Sequence, residues 1–217
     1  MSRVRAMLFD LDGTLLDSAP DLVRSLNWVR DSEGLEPLPI EQCARFASKG
    51  AVGLLQAGMP AAEPAQFETW RERFLDHYAR HSCIDSRLYA GMTELLAALA
   101  SRAIPWGIVT NKVEALTWPI IEALGLEHRP DSVVCGDTLS RKKPDPGPVL
   151  LACSQLKTAP ADTVFVGDDV RDIQAGEAAG TRTAAVLYGY GSHELHGPVV
   201  ANSEKIRAPS DLLRLIQ

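Results

Sequence analysis

The hydrophobic pattern of this chain changes its period along the way. Four consecutive apolar residues, Ala6-Met7-Leu8-Phe9, run straight into the turn Asp10-Leu11-Asp12-Gly13-Thr14. Short apolar runs ending in polar or glycine residues recur at Trp106–Thr110, at Ser132–Cys135 before Gly136-Asp137, and at Thr163–Val166 before Gly167-Asp168-Asp169. A fifth run, Thr181–Leu187, is rich in β-branched and small side chains. Continuous apolar runs predict strands buried on both faces, as in a parallel sheet. Between them lie helical spacings: 91–103 with Leu95, Leu96 and Leu99, 114–124 stopped by Gly125, 146–156, and 172–179 stopped by Gly180. Alternation of this kind predicts right-handed crossovers and an α/β fold, a doubly wound, Rossmann-like parallel sheet.

Over residues 18–85 the alternation stops. Asp21–Arg30, Glu41–Gly58 and Glu63–His81 are helical in pattern, and Pro37, Pro39, Pro60 and Pro64 fall in the turns between them. The expected organisation is a core of residues 1–17 and 86–217, with a small α-helical domain of residues 18–85 inserted after the first strand. Ser210–Ile216 reads as a short amphipathic helix.

Composition narrows the class. With 217 residues and 46% hydrophobic side chains, the chain can bury a real core and is not disordered. Acidic residues number 28 against 22 Lys plus Arg, a net charge of −6 with no basic excess for a polyanion, so no nucleic-acid partner is expected. Cys43, Cys83, Cys135 and Cys153 form no CxxC and read as free thiols in a reducing cytoplasm. The opening MSRVRAMLFD has an apolar run of only Ala6–Phe9, too short for a signal-peptide core or a membrane span. A cytoplasmic monomer or homodimer without membrane association is therefore expected.

The chemistry collects at the ends of the strands, where open α/β sheets bind their ligands. Asp10 and Asp12 follow the first run, Thr110-Asn111 the second, and Asp168-Asp169 with Asp172 the fourth; Lys143 lies between the last two groups. Carboxylates brought to one point repel each other unless a cation sits among them, and an all-oxygen donor set favours Mg²⁺. His77 and His81 share an i,i+4 face but lack a third ligand, so an exposed helix face is expected there. Phe46 and Trp70 are expected to be core residues of the insert, and Lys142 a solvated surface lysine.

A strand followed by DLDGT, a strand ending in Thr110, Lys143-Pro144, and a strand followed by GDDVRD together resemble the four motifs of the haloacid dehalogenase superfamily of phosphohydrolases. The resemblance implies an Asp10 nucleophile that forms an aspartyl-phosphate and an Asp12 general acid and base. It implies Thr110 as a phosphoryl ligand, with its hydroxyl placed as at a helix N-cap, Asn111 beside it, and Lys143 as neutralising cation. Mg²⁺ would be held by Asp10, Asp168 and the Asp12 backbone carbonyl, with Asp169 or Asp172 in support or orienting Lys143. The insert then corresponds to a cap, hinged at Leu15–Ser18 and Asp85–Leu88, with Arg45 and Lys49 as substrate contacts and Tyr188–Gly191 at the rim.

LFDLDGTLLDSAPDL, GIVTNK, GDTLSRKKPDP and FVGDDVRDIQAGEAAGTRTAAVLYGY resemble most the bacterial phosphoglycolate phosphatase branch. That branch also holds sugar-phosphate phosphatases, including those for N-acetylmuramic acid 6-phosphate. The implied partner is a small phosphorylated metabolite, 2-phosphoglycolate first. Asp12 argues against a C–halogen hydrolase and against a phosphonate hydrolase with Lys49 as Schiff-base former. A phosphomutase would share the catalytic set. A phospho-acceptor receiver domain is about half this length and lacks the insert. Neither GxGxxG nor GxxxxGK[ST] follows any strand, which disfavours nucleotide-binding folds.

Overall fold

A central strand decides where everything else sits. In the computed structural model, which describes residues 4–126 and 129–217, β1 (Ala6–Phe9) pairs in parallel with two strands drawn from much later in the chain. One neighbour is β4 (Trp106–Val109) and the other β6 (Thr163–Gly167). Beyond them lie β5 (Ser132–Val134) on one side and β7 (Arg182–Val186) and β8 (Glu204–Ile206) on the other, giving the order β5-β4-β1-β6-β7-β8 with every pairing parallel. The first three residues, part of the N-terminal stretch read above, lie outside the described residues.

The apolar strands are buried as their composition requires. Met7 and Phe9 join one hydrophobic cluster with Leu95 and Leu99 of α5 (Met92–Ser101) and Ile120 of α6 (Glu114–Ala123). Ala6 and Leu8 point the other way, into a cluster with Val149 and Ala152 of α7 (Gly147–Gln155) and Ala175 of α8 (Val170–Ala179). Alternate residues of β1 thus face helices on both sides, the doubly wound arrangement that the sequence predicts. The described chain contains no helix long and apolar enough to cross a membrane.

Residues between β2 (Leu16–Asp17) and β3 (Arg87–Leu88) are helical, and these two short strands pair antiparallel where the segment leaves and rejoins the sheet region. The segment contains α1 (Ala19–Ser32), α2 (Ile40–Cys43), α3 (Gly50–Gly58) and α4 (Pro64–His81). Its return is pinned by one buried carboxylate in the first turn of α1. Asp21 accepts from the backbone N–H groups of Ile84, Asp85 and Ser86 and from the Ser86 hydroxyl. The apolar residues of the segment, Leu26, Leu54 and Phe74 among them, belong to the same cluster as the Phe9 face of the sheet. Trp70 is buried and Phe46 half-buried against that cluster.

Several expectations need correction. Glu41–Gly58 is not one helix, because Ala44–Lys49 tightens into a 3-10 turn and Gly50, the first residue of α3, takes φ +63°. Ser210–Ile216 is also wound as 3-10 turns, beginning at Pro209. His77 is not on an exposed face: it is buried, its ring stacked 4.8 Å from Trp28 and 4.2 Å from His81, with Nδ1 3.0 Å from the Ser25 hydroxyl. Packing of α1 against α4 covers a position that the α4 sequence alone leaves open. The four cysteines are free, as expected.

Candidate active site

Because β1, β4 and β6 run in parallel, the residues that follow them emerge on one edge of the sheet. Asp10, Thr110 and Asp168 each directly follow a strand, and the Asp10 and Thr110 N–H groups still donate along the sheet, to Val166 and Val134 carbonyls at 2.9 Å. After Asp10 the chain turns away through Gly13 at φ +86°. A Cβ there would stand 2.3 Å from Asp168 Oδ2, so only glycine lets the two loops approach. Gly167 serves likewise, since a Cβ would meet the Asp172 side chain at 2.3 Å.

Helix α8 begins with Asp169 as N-cap, whose side chain accepts from the Arg171 N–H at 2.8 Å. Asp172 returns to the Asp169 N–H at 3.0 Å, completing a capping box. The second Asp172 oxygen lies 2.7 Å from Lys143 Nζ, so this residue is both a helix-start acceptor and a lysine partner. Lys143 also reaches Asp10 at 2.8 Å and the Val109 carbonyl at 2.7 Å, with its side chain 2% exposed. Burial opposes its charge, but Asp10 and Asp172 outweigh it and hold the ammonium above its ordinary range.

The carboxylates feel their crowding. Burial pushes the Asp10 carboxyl up to about 7, with Lys143 pulling it back and Asp172 and Asp12 adding repulsion. Asp168 is raised by burial and then by Asp10 and Asp172, although Thr14 Oγ1 donates to it at 3.1 Å and the Gly191 N–H at 2.8 Å. Asp169 behaves differently. Burial alone would raise it, but the Arg171 guanidinium, 2.7 Å away, holds it below the usual carboxylate range. It therefore faces Arg171 rather than the other carboxylates.

Asp10, Asp168 and Asp172 each offer an oxygen, all within 4.8 Å of one another. The donor set is hard and all-oxygen, and three carboxylates share the single Lys143 charge, so the residues present fit a divalent cation. The Asp12 carboxylate is not in this group. It accepts from Ser18 Oγ at 2.5 Å and from Lys112 Nζ at 2.8 Å, leaving its backbone carbonyl as the only part of it available to such an ion.

Thr110 Oγ1 accepts from the Lys112 N–H at 3.1 Å, but the N-cap of α6 is Val113, so Thr110 does not cap that helix. Asn111 Nδ2 donates to the Lys143 carbonyl at 3.0 Å, and its Oδ1 is buried without a partner. Over the carboxylates lies a cavity of about 430 Å³ bounded by these residues and, from the helical segment, by Ser48, Lys49, Val52, Phe74 and Tyr78. Lys49 lines it while paired with Glu194 at 2.7 Å on the exposed rim. Arg45 is not brought there: it is exposed, lies 4.7 Å over the Phe46 ring, and borders a neighbouring hollow that it shares with Lys49. Lys142 is exposed at the cavity edge. The Tyr188–Gly191 stretch packs onto the site loops, with the Tyr188 hydroxyl donating to the Thr14 carbonyl at 3.0 Å and Tyr190 meeting Ser18 at 2.9 Å.

Sequence reasoning gave no role to Thr14, Tyr78 or Lys112, and it placed Ser18 only at a hinge and Gly191 only at the rim. Lys112 carried a signal, a cation two residues beyond a buried strand end. The others become visible only through partners far away in the chain.

Comparison with known proteins agrees with this geometry. The family pattern described as haloacid dehalogenase-like hydrolase matches residues 7–186. The chain belongs to that family, and within it the chain is a phosphatase. It is 45% identical over 190 residues to an N-acetylmuramic acid 6-phosphate phosphatase of Pseudomonas aeruginosa, covering 87% of this chain and 84% of that one. It is 40% identical over 190 residues to a phosphoglycolate phosphatase of Xylella fastidiosa, covering 88% and 83%. A predicted phosphoglycolate phosphatase from Haemophilus somnus has a solved structure that superposes with a TM-score of 0.86 at 28% identity, over 100% of both chains.

Proposed function

We propose that the protein is a Mg²⁺-dependent phosphomonoester phosphatase that works through an aspartyl-phosphate on Asp10. The observation that carries this reading is the convergence of Asp10, Asp168 and Asp172 around the buried Lys143 ammonium at the strand ends, beneath the cavity. An Asp10 oxygen attacks phosphorus as the bond to the leaving oxygen breaks, and Asp12 gives that oxygen its proton. Water then attacks the phosphoryl group, Asp12 takes a proton from it, and Asp10 is released. Thr110 and Asn111 orient the phosphoryl oxygens, and Lys143 neutralises charge on nucleophile and phosphate alike. Mg²⁺, held by the Asp10 and Asp168 carboxylates and the Asp12 carbonyl with Asp172 in support, would supply countercharge to both carboxylates and phosphate.

Residues 18–85 would act as a cap on a core of 1–17 and 86–217, excluding water and choosing the substrate. The sequence expectation puts 2-phosphoglycolate first, but the room in the cavity supports a larger substrate. About 430 Å³ with an apolar wall of Val52, Phe74 and Leu75 suits a substituted hexose better than a two-carbon acid. N-Acetylmuramic acid 6-phosphate is therefore the favoured substrate, its carboxylate facing Lys49.

The test is a comparison of kcat/KM for N-acetylmuramic acid 6-phosphate, 2-phosphoglycolate and common sugar and nucleotide phosphates. The first should lead, and a lead for 2-phosphoglycolate would restore the smaller substrate. Asp10→Asn should abolish turnover of p-nitrophenyl phosphate in a folded protein, and chelation by EDTA should stop the wild type until Mg²⁺ is returned. Activity surviving either treatment would remove the nucleophile or the ion from the mechanism.

A further inference from the structure

Lys112 is a nearly buried cation to which the reaction above gives no part. Its side chain is 7% exposed, and its ammonium is fully engaged. It donates to both Asp12 oxygens at 2.8 Å and to the Tyr78 hydroxyl at 2.9 Å, leaving no donor for a substrate phosphate. Its backbone is fixed as firmly. The Lys112 N–H donates to Thr110 Oγ1, and its carbonyl accepts from the Gly136 N–H at 2.8 Å. Asp12 is thus held by Lys112 through both oxygens and by Ser18 through one of them, and Ser18 in turn meets Tyr190. Tyr78 lies on α4, the helix that also supplies Phe74 and Leu75 to the cavity wall.

We propose that Lys112, braced by Tyr78, is a positioning residue that aims the Asp12 carboxyl at the leaving-group oxygen, so that α4 takes part in placing the general acid. The proposal rests on the reading of Asp12 as that acid. A freely rotating carboxyl would spend little time in line with the oxygen it must protonate, whereas a lysine that reaches both of its oxygens and a serine on one of them select one orientation. The proton still travels from Asp12 to the leaving oxygen, and Lys112 keeps all of its own.

The leaving group distinguishes this role from simple support of the fold. A 2,4-dinitrophenolate departs without help, whereas an alkoxide needs its proton during bond breaking. The value of kcat/KM reads only the steps up to aspartyl-phosphate formation, so it isolates this demand. In the Mg²⁺-supplied enzyme, Lys112→Met should lower kcat/KM about 30–100-fold for the best alkyl phosphate and less than about threefold for 2,4-dinitrophenyl phosphate. Tyr78→Phe, which removes only a hydroxyl, should show the same split at about fivefold and covers the case in which Lys112→Met does not fold. Asp12→Asn is the reference and should show the widest split.

Equal losses on both substrates, or none, in the lysine and tyrosine variants would overturn the proposal while Asp12→Asn leaves the reading of Asp12 standing. If Asp12→Asn itself shows no split, the acid assignment falls and the positioning role falls with it.

Discussion

Two buried lysines flank the candidate site, and they are held in different ways. Lys143 finds every partner within the sheet region: Asp10, Asp172 and the Val109 carbonyl. Lys112 spans a junction, with Asp12 on one side and Tyr78 of α4 on the other. The Lys143 contact to Asp10 is therefore made without the helical segment, whereas the neighbourhood of Asp12 is not. On the reading proposed above, the same partition separates phosphoryl binding, an affair of the core, from protonation of the leaving group.

The comparison can be broken most forcefully at Lys143. Lys143→Met leaves Asp10 and Asp172 buried without their cation, and should cost about 3–5 kcal/mol in urea unfolding. It should also lower turnover by about 10³-fold whatever the leaving group, because one electrostatic contact with the developing charge is lost. Lys112→Met, whose partner Asp12 keeps the Ser18 contact, should cost a smaller 1–3 kcal/mol, about what one unsatisfied buried acceptor costs. Equal destabilisation by the two substitutions would erase the distinction.

An exposed lysine sharpens the same contrast. The Lys49–Glu194 pair is solvent-screened and holds little stability, so Lys49→Ala should leave Tm within about 1–2 °C and raise KM for a carboxylate-bearing substrate about three- to tenfold. Arg45→Ala should change neither, since Arg45 lies over Phe46 outside the cavity. A KM effect at Arg45 equal to that at Lys49 would mean that the hollow beside Arg45 also receives substrate.

The smallest effect belongs to a polar group that neither lysine touches. Burial, followed by the charges of His81, Arg24 and Arg80, lowers the His77 pKa, with Asp76 opposing. A histidine depressed in the folded state binds its proton more readily when unfolded, so stability should fall as pH drops below about 6.5. The Tm of the wild type should decline from pH 7.5 to pH 5 more steeply than that of His77→Gln. Parallel declines would show that the ring is free to take up a proton in place.

Much of this was legible in the sequence, for identifiable reasons. Five strands of the sheet announce themselves as apolar runs because both faces are covered. β8 does not, since Glu204 and Lys205 sit at an open sheet edge and only Ile206 is buried. Asp10, Thr110 and Asp168 could be found because strand ends are readable and parallel pairing gathers them, and Lys143 through its place in the Lys143-Pro144 motif. Tyr78 could not, because its meeting with Lys112 depends on how α4 settles over the sheet. Arg45 and Lys49 look alike in sequence, but Lys49, at the end of the 3-10 turn through Ala44–Lys49, reaches the cavity as well as the hollow beside Arg45, and Arg45 reaches only the hollow. His77 shows the same limit, covered by a tryptophan from another helix.

The position of β1 between β4 and β6 also governs when the site can exist. Asp10 hangs from a strand at the start of the chain whose sheet partner Val166 lies near the other end, and the Asp10 N–H itself donates to that residue's carbonyl. At typical synthesis rates, β1 is made roughly ten to thirty seconds before β6. During that interval Ala6–Phe9 must remain unpaired on that side, an apolar strand with an open edge. Non-local pairing of this kind makes for slow folding. Asp10 is thus encoded among the first residues but acquires its surroundings among the last events of assembly, and a chain cut short before β6 carries the DLDGT motif without the carboxylates gathered around it.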